Sequence, residues 1–253
     1  RGLGDVYKRQ DMADVIEAFA AAARRSEAAG YDIVEIHGAH GYLLHQFLSP
    51  ITNKRNDGYG GTRENRMRFP LEVARAVRAA WPSDKPLFYR ISAVDGQGGM
   101  WNVEDSIAFS RALKDEGIDV IDCSSGGLVG SASMSTVPRL PGFQVPFSER
   151  VKKEAGIATM AVGLNTEAEQ AERVLRNGHA DLIAIARELM WYADWPAHAA
   201  KELGIEDHRF MPERYAHRLR LRDAQARMPI NQPTPENYAV LSGLAGKAVS
   251  PTD

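Results

Sequence analysis

The sequence predicts an α/β fold, a TIM (β/α)8 barrel of which about the last five βα units are present. Three observations point there. Short apolar, β-branched runs (IVEI, LFYRIS, IDVIDC, ATMAV, DLIAIA) alternate with helical patterns, the signature of a parallel sheet buried on both faces. Five such runs occupy a chain of 253 residues, where a complete barrel takes eight strands in ~250. Polar, donor-rich residues stand where the runs stop, and barrels gather their active sites at those strand ends.

The elements follow in order. RGLGDVYKRQ shows no amphipathic period and reads as a non-native scar, so residues 1–10 are set aside and the barrel part is placed at 11–205. Asp11 can cap a helix that carries Val15, Ile16, Phe19, Ala20 and Ala23 at helical spacing, and Gly30 closes it. The run Ile33–Ile36 follows as the first strand. A helix over Thr62–Trp81 leads to the strand Leu87–Ser92, and a helix over Val103–Glu116 leads to Ile118–Cys123. Next come a short helix from Ser148 to Ala155 and the strand Ala158–Val162. Thr166 and Glu169 have capping-box spacing ahead of Ala171, Val174 and Leu175, with Gly178 ending that helix. Asp181–Ala186 is the last strand, and a helical stretch runs from Trp191 to Gly204. Residues 206–253, rich in Arg, Pro and polar side chains, hold no further βα unit and are expected to form a C-terminal extension at an oligomer interface.

Composition narrows the function classes. With 31 basic and 33 acidic side chains the net charge is -2; with no basic stripe, neither nucleic acid nor an anionic membrane is the expected partner. No run approaches the ~18 apolar residues of a membrane span. The single cysteine, Cys123, excludes a disulfide framework or a thiolate cluster within one chain. A cytoplasmic enzyme with a small-molecule substrate is expected.

At the strand ends stand His37, Arg90, Ser124, Gly163 and Arg187. His37 and His40 can point two imidazoles into one cavity, as two donors for an oxygen gaining negative charge; one of them may equally be structural, and no third ligand completes a metal site. Tyr42 can donate a proton to a carbon acid, or simply pack. Arg90 lies inside an apolar strand, so it meets either an electron-rich ligand or a buried carboxylate. Gly163 and Arg187 close the last two strands, where barrels commonly bind phosphate. A barrel enzyme of aldolase or isomerase type is an alternative, but no lysine stands at a strand end to serve it.

EIHGAHGYLLHQFLSPITNKRNDGYGG, then TRENRMRF, LFYRISA, DVIDCSSGGLV, ATMAVGLN and DLIAIARELM together closely resemble the Old Yellow Enzyme family of FMN-dependent ene-reductases, in the subgroup with a His/His pair. The resemblance covers about Asp11 to Trp195. It implies FMN as cofactor, NADPH or NADH as reductant, and reduction of the C=C bond of α,β-unsaturated carbonyl compounds. By that resemblance His37 and His40 bind the carbonyl oxygen, Tyr42 is the proton donor, and Arg90 lies by the N1 and O2 edge of the flavin. Gly163, Leu164, Ala186 and Arg187 hold its phosphate. It also implies a homo-oligomer at full length and a chain that begins after the third barrel strand, with an inactive fragment as the alternative. Arg218 is the candidate for a residue reaching a neighbouring subunit. No cysteine group follows the last strand, which sets the iron-sulfur branches (dienoyl-CoA reductase, amine dehydrogenase) aside.

Overall fold

Apolar spacing builds each layer in turn in the computed structural model, which describes residues 9–96, 100–128, 139–205 and 207–226. Helix α1 (Arg9–Ala28) is followed by β1 (Val34–Gly38). A short helix α2 (Leu43–Leu48) comes next, then α3 (Arg63–Ala80), β2 (Leu87–Ser92), α4 (Val103–Asp115) and β3 (Val120–Ser124). The first unit closes with α5 (Val145–Ala155), β4 (Ala158–Val162), α6 (Ala168–Arg176), β5 (Leu182–Ala184) and α7 (Arg187–Trp191). The strands pair in parallel in the order β1-β2-β3-β4-β5, so each βα unit lies beside the next, as in a barrel wall.

The two faces of this sheet differ. Ile36, Tyr89, Ile91, Ile121 and Cys123 point to one side and are almost fully buried with Phe69, Val73, Val77, Phe109, Leu113 and Val151 from the helices. Burying a side chain such as Phe109 or Leu113 contributes roughly 1.5–3 kcal/mol. The alternate positions Glu35, His37, Arg90, Met160 and Leu182 remain partly or largely open to solvent. That second face is partly covered, since Phe88, Ser92, Val120, Asp122 and Ser124 on it are buried, so one face is core and the other is partly open, as a part-barrel leaves it.

Within the core, the phenolic oxygen of Tyr89 is buried with no partner among the described residues, and burial pushes its ionisation upward. An unsatisfied buried hydroxyl costs free energy, so Tyr89→Phe is expected to leave stability unchanged or raise it by about 1 kcal/mol. A urea titration that showed a clear loss would contradict this.

Several boundaries shift for physical reasons. Helix α1 begins at Arg9, inside the segment set aside as a scar; residues 1–8 lie outside the described residues. β1 runs on through His37 and Gly38 because β2 pairs with them. Helix α5 starts three residues early, with Pro146 in its first turn, where a missing N–H costs nothing. The predicted Thr166/Glu169 box does not form: Glu167 is the N-cap, and Thr166 N–H donates to Gln170 Oε1 at 3.3 Å instead. A box forms where none was predicted, between Asn102 and Asp105 on α4. β5 is shorter than expected because Asp181 turns its carboxylate to the Thr159 N–H at 2.9 Å.

The described residues from Asp194 onward make a second unit, α8 (Trp195–Glu202) and α9 (Glu213–Ala226), in which His208 Nε2 lies 2.7 Å from Asp223 Oδ2. The predicted stretch from Trp191 to Gly204 holds α8 and only the last residue of α7. Helix α9, which carries Arg218, falls in the segment read as lacking further units. Residues 206 and 227–253 of the expected extension lie outside the described residues.

Candidate active site

Register places the charged residues. Parallel pairing aligns His37 with Arg90 and Arg90 with Asp122 across β1, β2 and β3, and two residues on it aligns Ser92 with Ser124. The period of two along a strand then puts Glu35, His37, Arg90, Asp122, Ser92 and Ser124 on the open face. Sequence reading had left two fates open for Arg90, a ligand or a carboxylate. Asp122 Oδ2 lies 3.1 Å from Arg90 Nε, and Asp122 is almost wholly buried. The contact is an ion pair and not a hydrogen bond: Arg90 Nε is buried with no hydrogen-bond partner, and neither Nη group donates to an acceptor among the described residues, which leaves the N–H groups for a ligand.

Asp122 and Glu35 were not anticipated. Burial pushes the Asp122 carboxyl up to about 6 against the pull of Arg90. Glu35 is pushed up to about 7 by burial and then by Asp122, again opposed by Arg90. Solvent touches Glu35 on the open face, but enough protein surrounds its carboxyl to disfavour the charge. The clue in the sequence was an acid inside each of two apolar runs.

The loop after β1 carries the histidines. His40 adopts a left-handed backbone, φ 58°, held by its N–H donating to Ser92 Oγ at 3.0 Å while Ser92 donates to the Gly126 carbonyl at 2.8 Å. The His37 and His40 rings lie 5.2 Å apart, and the Tyr42 ring lies 5.2 Å from that of His37. Structure thus brings together all three residues picked as catalytic. Burial and then Arg90 lower His37, and the same causes with His37 added bring His40 down to about 4, so both rings are neutral at pH 7. His40 Nε2 lies 2.7 Å from Ser124 Oγ. Gly41 and Gly127 meet back to back: a Cβ on Gly41 would stand 2.2 Å from the Gly127 carbonyl oxygen, and one on Gly127 would stand 2.3 Å from the His40 backbone.

Helix α2 supports this loop from beneath. His45 Nδ1 accepts from the Gly41 N–H at 3.0 Å, its Nε2 is buried without a partner among the described residues, and Gln46 Nε2 donates to the Gly41 carbonyl at 2.6 Å. Burial, with His40 and His37 adding to it, brings His45 down to about 3. A histidine lowered in the folded state stabilises above its unfolded value of 6.5, and that stability is lost as pH falls from 6.5 toward 3. His45→Gln, which keeps an acceptor for Gly41, is expected to flatten the acid loss of stability by about 1.4 kcal/mol per pH unit between pH 6 and 4. Guanidinium titrations across that range check it, and parallel slopes for the two proteins would refute it.

At the far end of the sheet Gly163, Leu164, Ala186 and Arg187 line one cavity of about 290 Å3, bounded also by Asn165 and Thr166. All four residues picked for phosphate therefore meet. Gly163 has φ 110° and Leu164 φ 53°, and both carbonyls accept from the Gly142 N–H, at 3.1 and 3.2 Å. Arg187 has no acidic partner among the described residues. Gln144, missed in the sequence, joins the two ends: its Nε2 donates to the Val162 carbonyl at 3.0 Å, and its Oε1 accepts from Ser125 Oγ at 2.6 Å and Ser124 Oγ at 3.4 Å. Only the setting PGFQVP, a polar residue in a Pro-flanked turn, hinted at it. Among the described residues no group of three or more His, Cys, Asp and Glu is arranged to hold a metal ion, and no helix is long and apolar enough to cross a membrane.

Comparison with known proteins agrees with this geometry. The NADPH dehydrogenase of Geobacillus sp. strain WCH70 is 50% identical over 196 residues, which are 78% of this chain and 56% of that protein. The chain thus spans little more than half the length of this relative. Among solved structures, the old yellow enzyme homologue from Zymomonas mobilis superposes with a TM-score of 0.65 at 26% identity, covering 78% of this chain and 54% of that one. A 2-naphthoyl-CoA reductase superposes with a TM-score of 0.69 at 26% identity, over 79% of this chain and 30% of that one. The fold is therefore shared with a CoA-ester reductase too, although no cysteine follows β5 here. The five-stranded sheet is part of a TIM barrel, as predicted. The profile of the NADH:flavin oxidoreductase / NADH oxidase family matches residues 6–206, a span that begins within the stretch read as a scar, and the chain belongs to that family.

Proposed function

We propose that this chain carries the part of an FMN-dependent oxidoreductase that grips the flavin and its substrate, the reductant being NADPH or NADH and the substrate an α,β-unsaturated carbonyl compound. One observation carries this reading most: the C-terminal ends of the strands bring two neutral imidazoles to one side of the sheet, a cavity of about 290 Å3 with an arginine that pairs with no acid among the described residues to the other, and a second arginine between. The fit to the cofactor is favourable. A Cβ at Gly163 would stand 2.7 Å from Gln144 Nε2, so glycine keeps in place the turn that lines the cavity, and Arg187 supplies the charge a phosphate needs. Bound FMN supplies hydride transfer between the nicotinamide and the unsaturated carbon.

The side chains divide the remaining work. His37 and His40, uncharged, donate to the carbonyl oxygen and so favour negative charge there without already holding an anion. His40 is freed for this if Ser124 turns from it to Gln144 Oε1, its other neighbour. Tyr42, more than half exposed beside His37, is placed to deliver a proton to the adjoining carbon. Arg90 would offer its two Nη groups to the polar edge of a bound flavin ring.

Flavin titration of the purified 253-residue chain, followed by visible absorbance and fluorescence, tests the reading. Saturable FMN binding with riboflavin at least tenfold weaker is expected, since a charged phosphate contact is worth about 1.5–3 kcal/mol. A folded chain that ignores FMN would end the claim for this chain.

A further inference from the structure

Arg90 is paired with an acid, whereas Arg187 pairs with none among the described residues, although Glu188 lines the same cavity. Asp122 Oδ2 forms an ion pair with Arg90 Nε at 3.1 Å, while Nε and Asp122 Oδ1 are both buried with no hydrogen-bond partner among the described residues. Glu35 stands two residues before His37 on the same strand, near enough to feel both Arg90 and Asp122. A guanidinium already compensated by a carboxylate has little pull on a full anion, but it still offers directed N–H groups. Such a group suits the neutral carbonyl and imine edge of a planar heterocycle, whereas the uncompensated Arg187 suits phosphate. The difference sets which way round a ligand lies.

We propose that Asp122 is a positioning residue for Arg90: its buried charge holds the guanidinium by an ion pair on the Nε side, leaves both Nη groups to a neutral heterocycle edge, and with Glu35 prevents Arg90 from capturing the phosphate. This deepens the FMN reading and rests on it only for the identity of the heterocycle. The charge balance agrees. With Asp122 raised to about 6 and Glu35 to about 7, the set of Glu35, Arg90 and Asp122 carries less than one net negative charge at pH 7. The other titratable neighbours, His37 and His40, are neutral there, and the next strand offers Met160 opposite Asp122.

The test uses the full chain, uniformly 15N-labelled, with the Arg90 Nε–H resonance assigned by its loss in Arg90→Lys. In the wild type this proton should exchange slowly with water. In Asp122→Ala exchange should be at least tenfold faster, because the side chain released from the ion pair reaches solvent, and Asp122→Asn, which keeps the shape without the charge and carries the test should the alanine variant not fold, should be faster than the wild type as well. A wild type without a protected signal, or a folded Asp122→Ala with unchanged exchange, overturns the proposal. Flavin titrations add a readout that loss of packing would not mimic. Asp122→Ala should weaken FMN and riboflavin by the same factor, about tenfold, while Arg187→Ala weakens FMN alone. Loss of FMN affinity with riboflavin spared in Asp122→Ala would also overturn it. If the wild type binds neither flavin but the Nε–H signal depends on Asp122, the cofactor reading fails and the positioning role stands.

Discussion

Gly163→Ala is expected to lower the thermal midpoint of the chain by roughly 5–15 °C and to abolish measurable FMN binding. At φ 110° an L-residue is strained by about 1–3 kcal/mol. The added Cβ would also stand 2.7 Å from Gln144 Nε2 and 2.8 Å from Phe143 Cε1, and relieving such overpacking costs about 1–3 kcal/mol more. For a unit of this size each kcal/mol moves the midpoint by about 2–4 °C. Gln144 cannot give way freely, because the same amide donates to the Val162 carbonyl at 3.0 Å. Scanning calorimetry with and without FMN decides the matter: a variant that melts like the wild type and still takes up flavin would show that the turn tolerates a side chain, and the phosphate assignment would fall with it.

The second large effect belongs to Arg90→Met, and it depends on pH. Removing the guanidinium leaves the buried Asp122 with neither carboxylate oxygen paired, a situation that costs about 3 kcal/mol. The group escapes by holding a proton. Its carboxyl, already raised to about 6 with Arg90 pulling it down, must rise further once that pull is gone. An acid whose folded value lies above its unfolded value contributes full stability at low pH, and loses it as pH climbs through the folded value. The variant should therefore match the wild type closely at pH 5 and fall about 3 kcal/mol below it at pH 8. Urea titrations at the two pH values provide the comparison, and an equal deficit at both would mean that Arg90 acts through packing rather than through Asp122.

Much of this was legible in the residues. Apolar β-branched runs located every strand, because parallel strands with a buried face leave a continuous signal that needs no partner to be read. The three residues picked as catalytic and the four picked for phosphate also lie together, since each set falls within a short segment or at neighbouring strand ends. What escaped notice depends on register. Asp122 becomes the partner of Arg90 only when β2 and β3 align, 32 positions apart in sequence, and one residue of slip would turn it to the core. Gln144 is a hub only because a turn far from His40 folds back beneath Ser124. Helix α2 was hidden because LLHQFL, a short apolar run, has no period long enough to show. The thin apolar stripe of α9, with arginines between its apolar positions, hid that helix in the same way.

The meeting of Gly41 and Gly127 restricts how this site can change over time. Most tight contacts between side chains leave a way out, since a larger residue on one side can be matched by a smaller one on the other. Here each glycine faces main-chain atoms, the Gly127 carbonyl on one side and the His40 backbone on the other, and no codon removes a main chain. A substitution at either position has no second-site suppressor at the other, so the two behave as separate vetoes instead of a covarying pair. The histidine loop can therefore diversify its side chains, but the path of its backbone against the loop after β3 is a one-way commitment.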